Sequence, residues 1–273
     1  MKQTQNVEEL QAISKRIRRH IIEMTGAAKS GHPGGSLSAV EIVVTLFFDV
    51  LRHDPERPDW PDRDRFILSK GHGCPVLYAV MAECGYCRVD TLKTLRKLGS
   101  PYQGHPDKRF LPVLEASTGS LGQGLSLALG MGAAARLDGK DWRVYVVLGD
   151  GEIQEGQIWE AAMFGAHHKI DNVVAIVDYN KIQLDGFVKD IMDLEPLAEK
   201  WRSFGWHAIE LDGHDIRALQ AAFAQAKGVK GKPTVIIAHT IKGKGVSFME
   251  NNPKFHGIAP TAEEVALALR ELA

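Results

Sequence analysis

A three-layer α/β/α fold on a mostly parallel sheet is what this sequence predicts, and three observations predict it. Five short β-rich runs, Phe66-Ile67-Leu68, Trp142 to Leu148, Val173 to Asp178, His207 to Leu211 and Thr234 to Ile241, alternate with helical patterns along the chain. Several of these runs are apolar throughout rather than alternating, the mark of strands buried on both faces. No repeat, low-complexity tract or linker breaks the order, so residues 1–273 are expected to form one domain.

The elements follow in order. Val7, Leu10, Ile13, Ile17, Ile21 and Met24 recur at steps of three and four, the stripe of an amphipathic helix that stops at Gly26. After the turn-rich Ser30-Gly31-His32-Pro33-Gly34-Gly35, Ser38 with Glu41 three residues on predicts a capping box ahead of a helix from Ile42 to Leu51. Helical patterns also cover Val76 to Glu83, Thr91 to Leu98, Leu121 to Leu137, Ile158 to His168, Leu194 to Phe204, Ile216 to Ala226 and Ala262 to Leu272.

Composition narrows the function. With 44% hydrophobic and 25% charged residues and a formal charge of -1, the chain reads as a soluble globular protein with no electrostatic reason to bind nucleic acid or an anionic membrane. No apolar segment suggests a signal peptide or a membrane span, and a cytoplasmic location is expected. Three cysteines argue against a disulfide framework. Cys84 and Cys87 form a C-x-x-C, but zinc needs a second pair and a redox motif a different setting.

The stretch Leu148-Gly149-Asp150-Gly151-Glu152-Ile153-Gln154-Glu155-Gly156 carries the strongest chemistry. It delivers an aspartate to the tip of an apolar strand, and ligands of parallel sheets bind beyond the carboxyl ends of strands, where strand order reverses. Asn180 occupies the equivalent place thirty positions on, one strand-helix-strand unit away. Both side chains offer hard oxygen ligands of the kind Mg²⁺ takes together with phosphates and waters. The glycines flanking Asp150 allow a phosphate close to the backbone, and a following helix offers it unpaired N–H groups. Taken alone, Gly-Asp-Gly is also an ordinary turn.

The longer string, continuing through Trp159-Glu160-Ala161 and Asp178-Tyr179-Asn180-Lys181-Ile182-Gln183-Leu184-Asp185-Gly186, closely resembles the thiamine diphosphate signature of transketolases. The resemblance continues through Ser30-Gly31-His32-Pro33-Gly34-Gly35-Ser36, Ser69-Lys70-Gly71-His72-Gly73, Gly104-His105-Pro106, Thr118-Gly119-Ser120-Leu121-Gly122-Gln123-Gly124, Asp212-Gly213-His214-Asp215 and His256-Gly257, in family order from about residue 10 to 260. One departure is Tyr179, where the family commonly has Asn or Asp. That position is not the coordinating one.

The resemblance implies a thiamine diphosphate-binding domain. Asp150, Asn180 and the Ile182 carbonyl would hold Mg²⁺, or Ca²⁺ or Mn²⁺ in its place. Gly151 N–H would contact a phosphate oxygen, Gly119 and Leu121 the aminopyrimidine, and Leu184 the thiazolium ring. Glu155 and Glu160 would link two active sites across a dimer, although exposed carboxylates at a helix start are also favoured by its dipole.

Among 11 histidines, His20, His53, His167 and His168 read as structural. His32, His72 and His105 each follow a glycine in a turn-rich loop, and His256 precedes one, places that put an imidazole at a crevice. An imidazole there exchanges protons near neutrality. By resemblance, His32 and His256 would address sugar hydroxyls and assist proton transfer, and His72 and His105 would contact the diphosphate or the donor's terminal hydroxyl. Lys242-Gly243-Lys244-Gly245 lacks the nucleotide-loop pattern and is expected to be a flexible edge of the same site.

A full-length transketolase is more than twice this long, and its second domain supplies the glutamate that acts on the aminopyrimidine. With an initial methionine and a helix at its end, the chain is expected to be a complete N-terminal subunit of a split transketolase, although an excised domain would give the same sequence. It would work with a pyrimidine-binding C-terminal subunit, as α2β2, on sugar phosphates in the pentose phosphate pathway. The alternatives are half of another thiamine enzyme, such as a 1-deoxyxylulose-5-phosphate synthase or a transketolase for an unusual sugar phosphate, and a non-catalytic regulatory paralogue.

Overall fold

The structure, a computed structural model, describes residues 3–273. Its sheet holds five strands, β1 (Arg65–Leu68), β2 (Val144–Gly149), β3 (Val173–Tyr179), β4 (His207–Asp212) and β5 (Thr234–His239), all parallel in the order β1-β2-β3-β5-β4. The helices are α1 (Val7–Ala28), α2 (Pro33–Ser38), α3 (Val40–Thr45), α4 (Cys74–Cys84), α5 (Gln123–Leu137), α6 (Gly156–His167), α7 (Val188–Ile191), α8 (Leu197–Ser203), α9 (Ile216–Gly228) and α10 (Ala262–Glu271). One core packs α1, α3, α4 and α9 on Tyr145, Val147, Val174 and Ile176, and a second packs α5, α6 and α8 on Val144, Val146, Ala175 and Val177. Alternate residues of β2 and β3 thus serve opposite layers, which is why both strands are apolar without a break.

Strand order explains where the helices lie. The chain passes from β3 over to β4 by way of α8, then back to β5 by way of α9. Right-handed crossovers in opposite directions put those two helices on opposite faces. The reversal expected at the site therefore falls at β4 and β5, while Asp150 and Asn180 follow the neighbouring strands β2 and β3.

Two local expectations fail. Ser38 caps nothing: Pro33 at the first turn starts α2 early, and the Ser38 hydroxyl donates instead to Asp178 at 2.6 Å. Glu41 turns inward to Arg18. The helix predicted over Thr91 to Leu98 is a 3₁₀ segment, Val89–Thr94, because the chain leaves helical geometry at Leu95 and Arg96 adopts a left-handed φ of 59°. Cys84 is buried and Cys87 half-buried, both as free thiols, and burial raises the pKa of each. Among the described residues, no helix is long and apolar enough to cross a membrane.

Candidate active site

The crevice lies at the carboxyl ends of β1, β2, β3 and β5, where the loops after the strands converge. Asp178, fully buried at the end of β3, organises its floor. Its carboxylate accepts from Ser38 at 2.6 Å and Asn180 at 3.2 Å, and also from Thr240 and the Lys70 ammonium. Burial works against the charge on Asp178, but Lys70 and these donors outweigh it and hold the pKa below the ordinary carboxylate value. Lys70 also donates to the Gly35 carbonyl at 2.6 Å, tying the first histidine loop to the floor.

Glu152 has a parallel role at the tip of β2. Its buried carboxylate accepts from Gly149 N–H at 2.9 Å, Gly122 N–H at 3.0 Å and the Ser69 hydroxyl. One side chain thereby clamps the loop holding Gly119 and Leu121 to the strand that delivers Asp150. Gly119 sits at φ 144°, and a Cβ there would lie 3.1 Å from the His105 ring, so the backbone reaches the crevice only as glycine.

Beside Glu152, Asp150 lines the cavity. One oxygen accepts from Gly151 N–H at 2.7 Å and the other from Lys181 N–H. Burial, then the nearby Asp178 charge, push its pKa up to about 6, with Lys242 acting the other way. It has no ion-pair partner within 4.0 Å among the described residues. A buried carboxylate short of positive charge, beside the amide of Asn180 and the carbonyl of Ile182, is an all-oxygen donor set that suits a hard divalent cation completed by phosphate and water. Asn180 Oδ1 accepts from Ile182 N–H at 3.2 Å, and the Ile182 carbonyl accepts from the Lys242 ammonium at 2.7 Å. Tyr179 points away from this set and donates to Glu195 at 2.7 Å, so the departure from the family pattern leaves Asn180 in place.

The four loop histidines do come together. Ring centroids lie 5.3 Å apart for His32 and His72, 6.0 Å for His32 and His105, 5.9 Å for His32 and His256, and 5.0 Å for His72 and His256. Burial foremost, then neighbouring positive charge, holds His32 at about 4 and His256 at about 3, and drives His72 well down, so these three are neutral at pH 7. His256 Nδ1 accepts from Lys242 at 2.7 Å, which leaves its proton on Nε2. His32 Nδ1 is buried with no partner among the described residues, an orphaned polar atom suited to a ligand hydroxyl.

Leu121, Gly151, Leu184 and the Asp150 set line a cavity of about 140 Å³ together with His72, Lys242 and His256. Leu184 is 64% exposed. Glu155 and Glu160 lie outside it on an exposed face at and within α6, where Glu160 borders a shallow groove with Ser126, Gly130 and Phe164. Of the other histidines, His20 pairs with Glu83 and His53 with Tyr86, away from the site.

Four residues of the site carry no sequence signal of their role. Lys70, Glu152 and Lys242 are buried charges that bond Asp178, Ser69 and Ile182, which lie 108, 83 and 60 residues away along the chain. Lys242 is 1% exposed and belongs to a pinned turn, not to the flexible edge expected there. The fourth is Arg96, on the rim beside the histidines. Its guanidinium donates to the Ser30 hydroxyl at 3.2 Å and has no carboxylate partner among the described residues.

The chain is similar to known proteins over nearly its whole length. The family model described as "Transketolase, thiamine diphosphate binding domain" matches residues 9–273. The 6-deoxy-6-sulfo-D-fructose transketolase subunit of Clostridium sp. (strain MSTE9) is 45% identical over 264 residues, 97% of this chain and 96% of that protein. An apulose-4-phosphate transketolase subunit of Phocaeicola vulgatus is 41% identical over 97% of this chain and 94% of its own length. The solved transketolase from Leishmania mexicana superposes with a TM-score of 0.91 at 34% identity, covering 96% of this chain but only 41% of that one.

Proposed function

Because the chain belongs to the family of transketolase thiamine diphosphate-binding domains, we propose that it is the cofactor-binding N-terminal subunit of a split transketolase. It would transfer a two-carbon ketol unit from a ketose phosphate to an aldose phosphate, as an α2β2 complex in the cytoplasm. The observation that carries this reading is the meeting of two sets of groups in one crevice. The Asp150–Asn180 oxygen set lies beneath a cluster of neutral imidazoles, in a domain whose family binds thiamine diphosphate. The named relatives that match it nearly end to end are themselves transketolase subunits.

When bound, thiamine diphosphate would supply the electron sink on which ketol transfer depends. The rest falls to the chain. Asp150, Asn180 and the Ile182 carbonyl would hold Mg²⁺, and Lys242, His72 and the Gly151 N–H would meet the diphosphate oxygens. Leu184 would support the ring. His32 and His256, neutral at pH 7, would hydrogen-bond sugar hydroxyls and move protons to and from them. Arg96 gives the rim a free positive charge for the substrate's anionic end.

The sugar itself is a separate matter. The two relatives named for unusual sugars favour a second reading in which the substrate is not a common pentose phosphate. The deciding experiment purifies the chain with its complementary pyrimidine-binding subunit and assays ketol transfer across a panel of ketose and aldose phosphates, with and without Mg²⁺. Absence of ketol transfer from every donor, by a complex that binds the cofactor, would overturn the reading.

A further inference from the structure

Asp212-Gly213-His214-Asp215 has no place in the chemistry above, yet the structure puts it to specific use. Asp212 accepts from His214 N–H at 2.9 Å, and Asp215 caps α9 through Arg217 and Ala218 N–H. A Cβ on Gly213 would stand 2.5 Å from Thr240 Cγ2, so only glycine lets this turn press on the chain leaving β5. His214 is thereby fixed between two partners. Its Nδ1 lies 2.9 Å from Glu41 Oε2, and its Nε2 accepts from the Ile241 N–H at 2.9 Å.

The partners fix the proton. A backbone N–H only donates, so Nε2 carries the lone pair and Nδ1 carries the hydrogen. Glu41 is an anchored acceptor, held by Arg18 through a two-pronged contact of 2.6 and 2.8 Å. Arg18 Nε in turn donates to the Lys244 carbonyl at 3.0 Å. Arg18, Glu41 and His214 are almost enclosed, with side chains 9%, 10% and 14% exposed. This network therefore grips the chain at Ile241 and at Lys244, on both sides of Lys242. Between those grips the Lys242 side chain runs into the crevice, to the Ile182 carbonyl and to His256.

We propose that His214 is a positioning residue for Lys242, and that it acts through the bond from the Ile241 N–H to its Nε2. The bond fixes the direction in which the chain leaves β5, and with it the point at which the Lys242 ammonium enters the cofactor crevice. The effect on cofactor binding rests on the functional reading above; the effect on the loop does not.

Two substitutions separate the two halves of the imidazole. His214→Gln can present an oxygen near the place of Nε2, keeping an acceptor for Ile241, whereas His214→Asn can present an amide nitrogen near Nδ1, keeping only the bond to Glu41. Amide hydrogen exchange of the full chain, without cofactor, should show Ile241 and the turn through Met249 at least tenfold faster in H214N than in wild type, and near wild type in H214Q. Thiamine diphosphate titrated with Mg²⁺ into the chain with its partner subunit should then bind about tenfold more weakly to H214N, with H214Q largely restored. The proposal is overturned if H214N protects the turn as well as wild type does, or if H214Q exchanges as fast as H214N. A wild-type complex that does not bind the cofactor would defeat the functional reading and leave the exchange experiment to decide the role of His214.

Discussion

The Lys242 ammonium and the Ile182 carbonyl lie 2.7 Å apart in the wall of the cofactor cavity. That carbonyl is one of the three oxygens assigned to a divalent cation, so the site already sets positive charge where the cation's third oxygen points. Burial lowers the Lys242 pKa to about 8, against the pull of Asp150, so most of its charge survives at pH 7. Lys242→Met keeps the length and removes the charge. It is expected to weaken thiamine diphosphate binding roughly tenfold while leaving the fold intact, through loss of a charge-assisted bond to the diphosphate. Calorimetric titration of the two-subunit complex checks this, and unchanged affinity would remove Lys242 from the cofactor site.

Asp150→Ala takes away the carboxylate aimed at the cation. Cofactor binding that depends on Mg²⁺ should disappear in this variant, since diphosphate charge is left uncompensated in a buried site. The fold should survive, because the strand tip is also held by Glu152. A titration in which the variant binds the cofactor with the same Mg²⁺ dependence as wild type would sink the assignment.

How far these roles were legible depends on sequence separation. Asp150 and Asn180 follow apolar strands, so the tips at which they lie could be read from their own neighbours. The strands themselves were legible for the same reason. Asp178 was visible too, but not its service as an acceptor for Lys70, Ser38, Asn180 and Thr240, because three of those donors come from distant parts of the chain. Ser38 and Glu41 matched a local capping pattern, and tertiary partners took both. Arg96 has no local pattern in the sequence that marks it out. Only the fold brings it beside Ser30 and the histidines.

Arg96→Ala should therefore separate substrate binding from cofactor binding. Removing an unpaired guanidinium from the rim is expected to raise KM for a sugar phosphate about tenfold, the scale of one exposed charge-assisted contact, with little change in kcat. Cofactor affinity should stay as it is. Equal KM values for wild type and variant would make Arg96 a bystander.

Acid should loosen the fold through the histidine cluster. Burial first, then the charges of Arg96, His105 and Lys242, hold folded His32 at about 4, and burial followed by Lys242 holds His256 at about 3. An unfolded histidine titrates near ~6.5. Below that pH the unfolded chain binds protons that the folded chain refuses, so stability is full above about 6.5 and falls as pH drops toward 4 and 3. The melting temperature should decline across this window, and less steeply in His32→Asn. Identical slopes for the two proteins would contradict the buried, neutral state of His32.

The last expectation is that the chain alone shows essentially no ketol transfer, even with excess thiamine diphosphate and Mg²⁺. The cavity is walled on the sheet side by Asp150, Asn180, His72 and Lys242, but its outer edge is bare. Leu184, which lines the cavity, is 64% exposed, and in the segment that follows it Phe187 is 39%, Ile191 49% and Met192 58% exposed, a run of apolar side chains open to solvent. Such a patch is the mark of a surface that another protein covers. Uncovered, it leaves water free to reach the reacting carbon and weakens every hydrogen bond the histidines make there. Of the carboxylates placed in the crevice, Asp178 and Glu152 are spent on the floor and Asp150 is the one proposed for a cation, so none of these three is left over to act on the aminopyrimidine. Adding a pyrimidine-binding subunit should restore turnover as the apolar run becomes protected from solvent, which ketol-transfer assays paired with hydrogen exchange at residues 184–192 will read together. Substantial turnover by the isolated chain would show that it needs no second subunit.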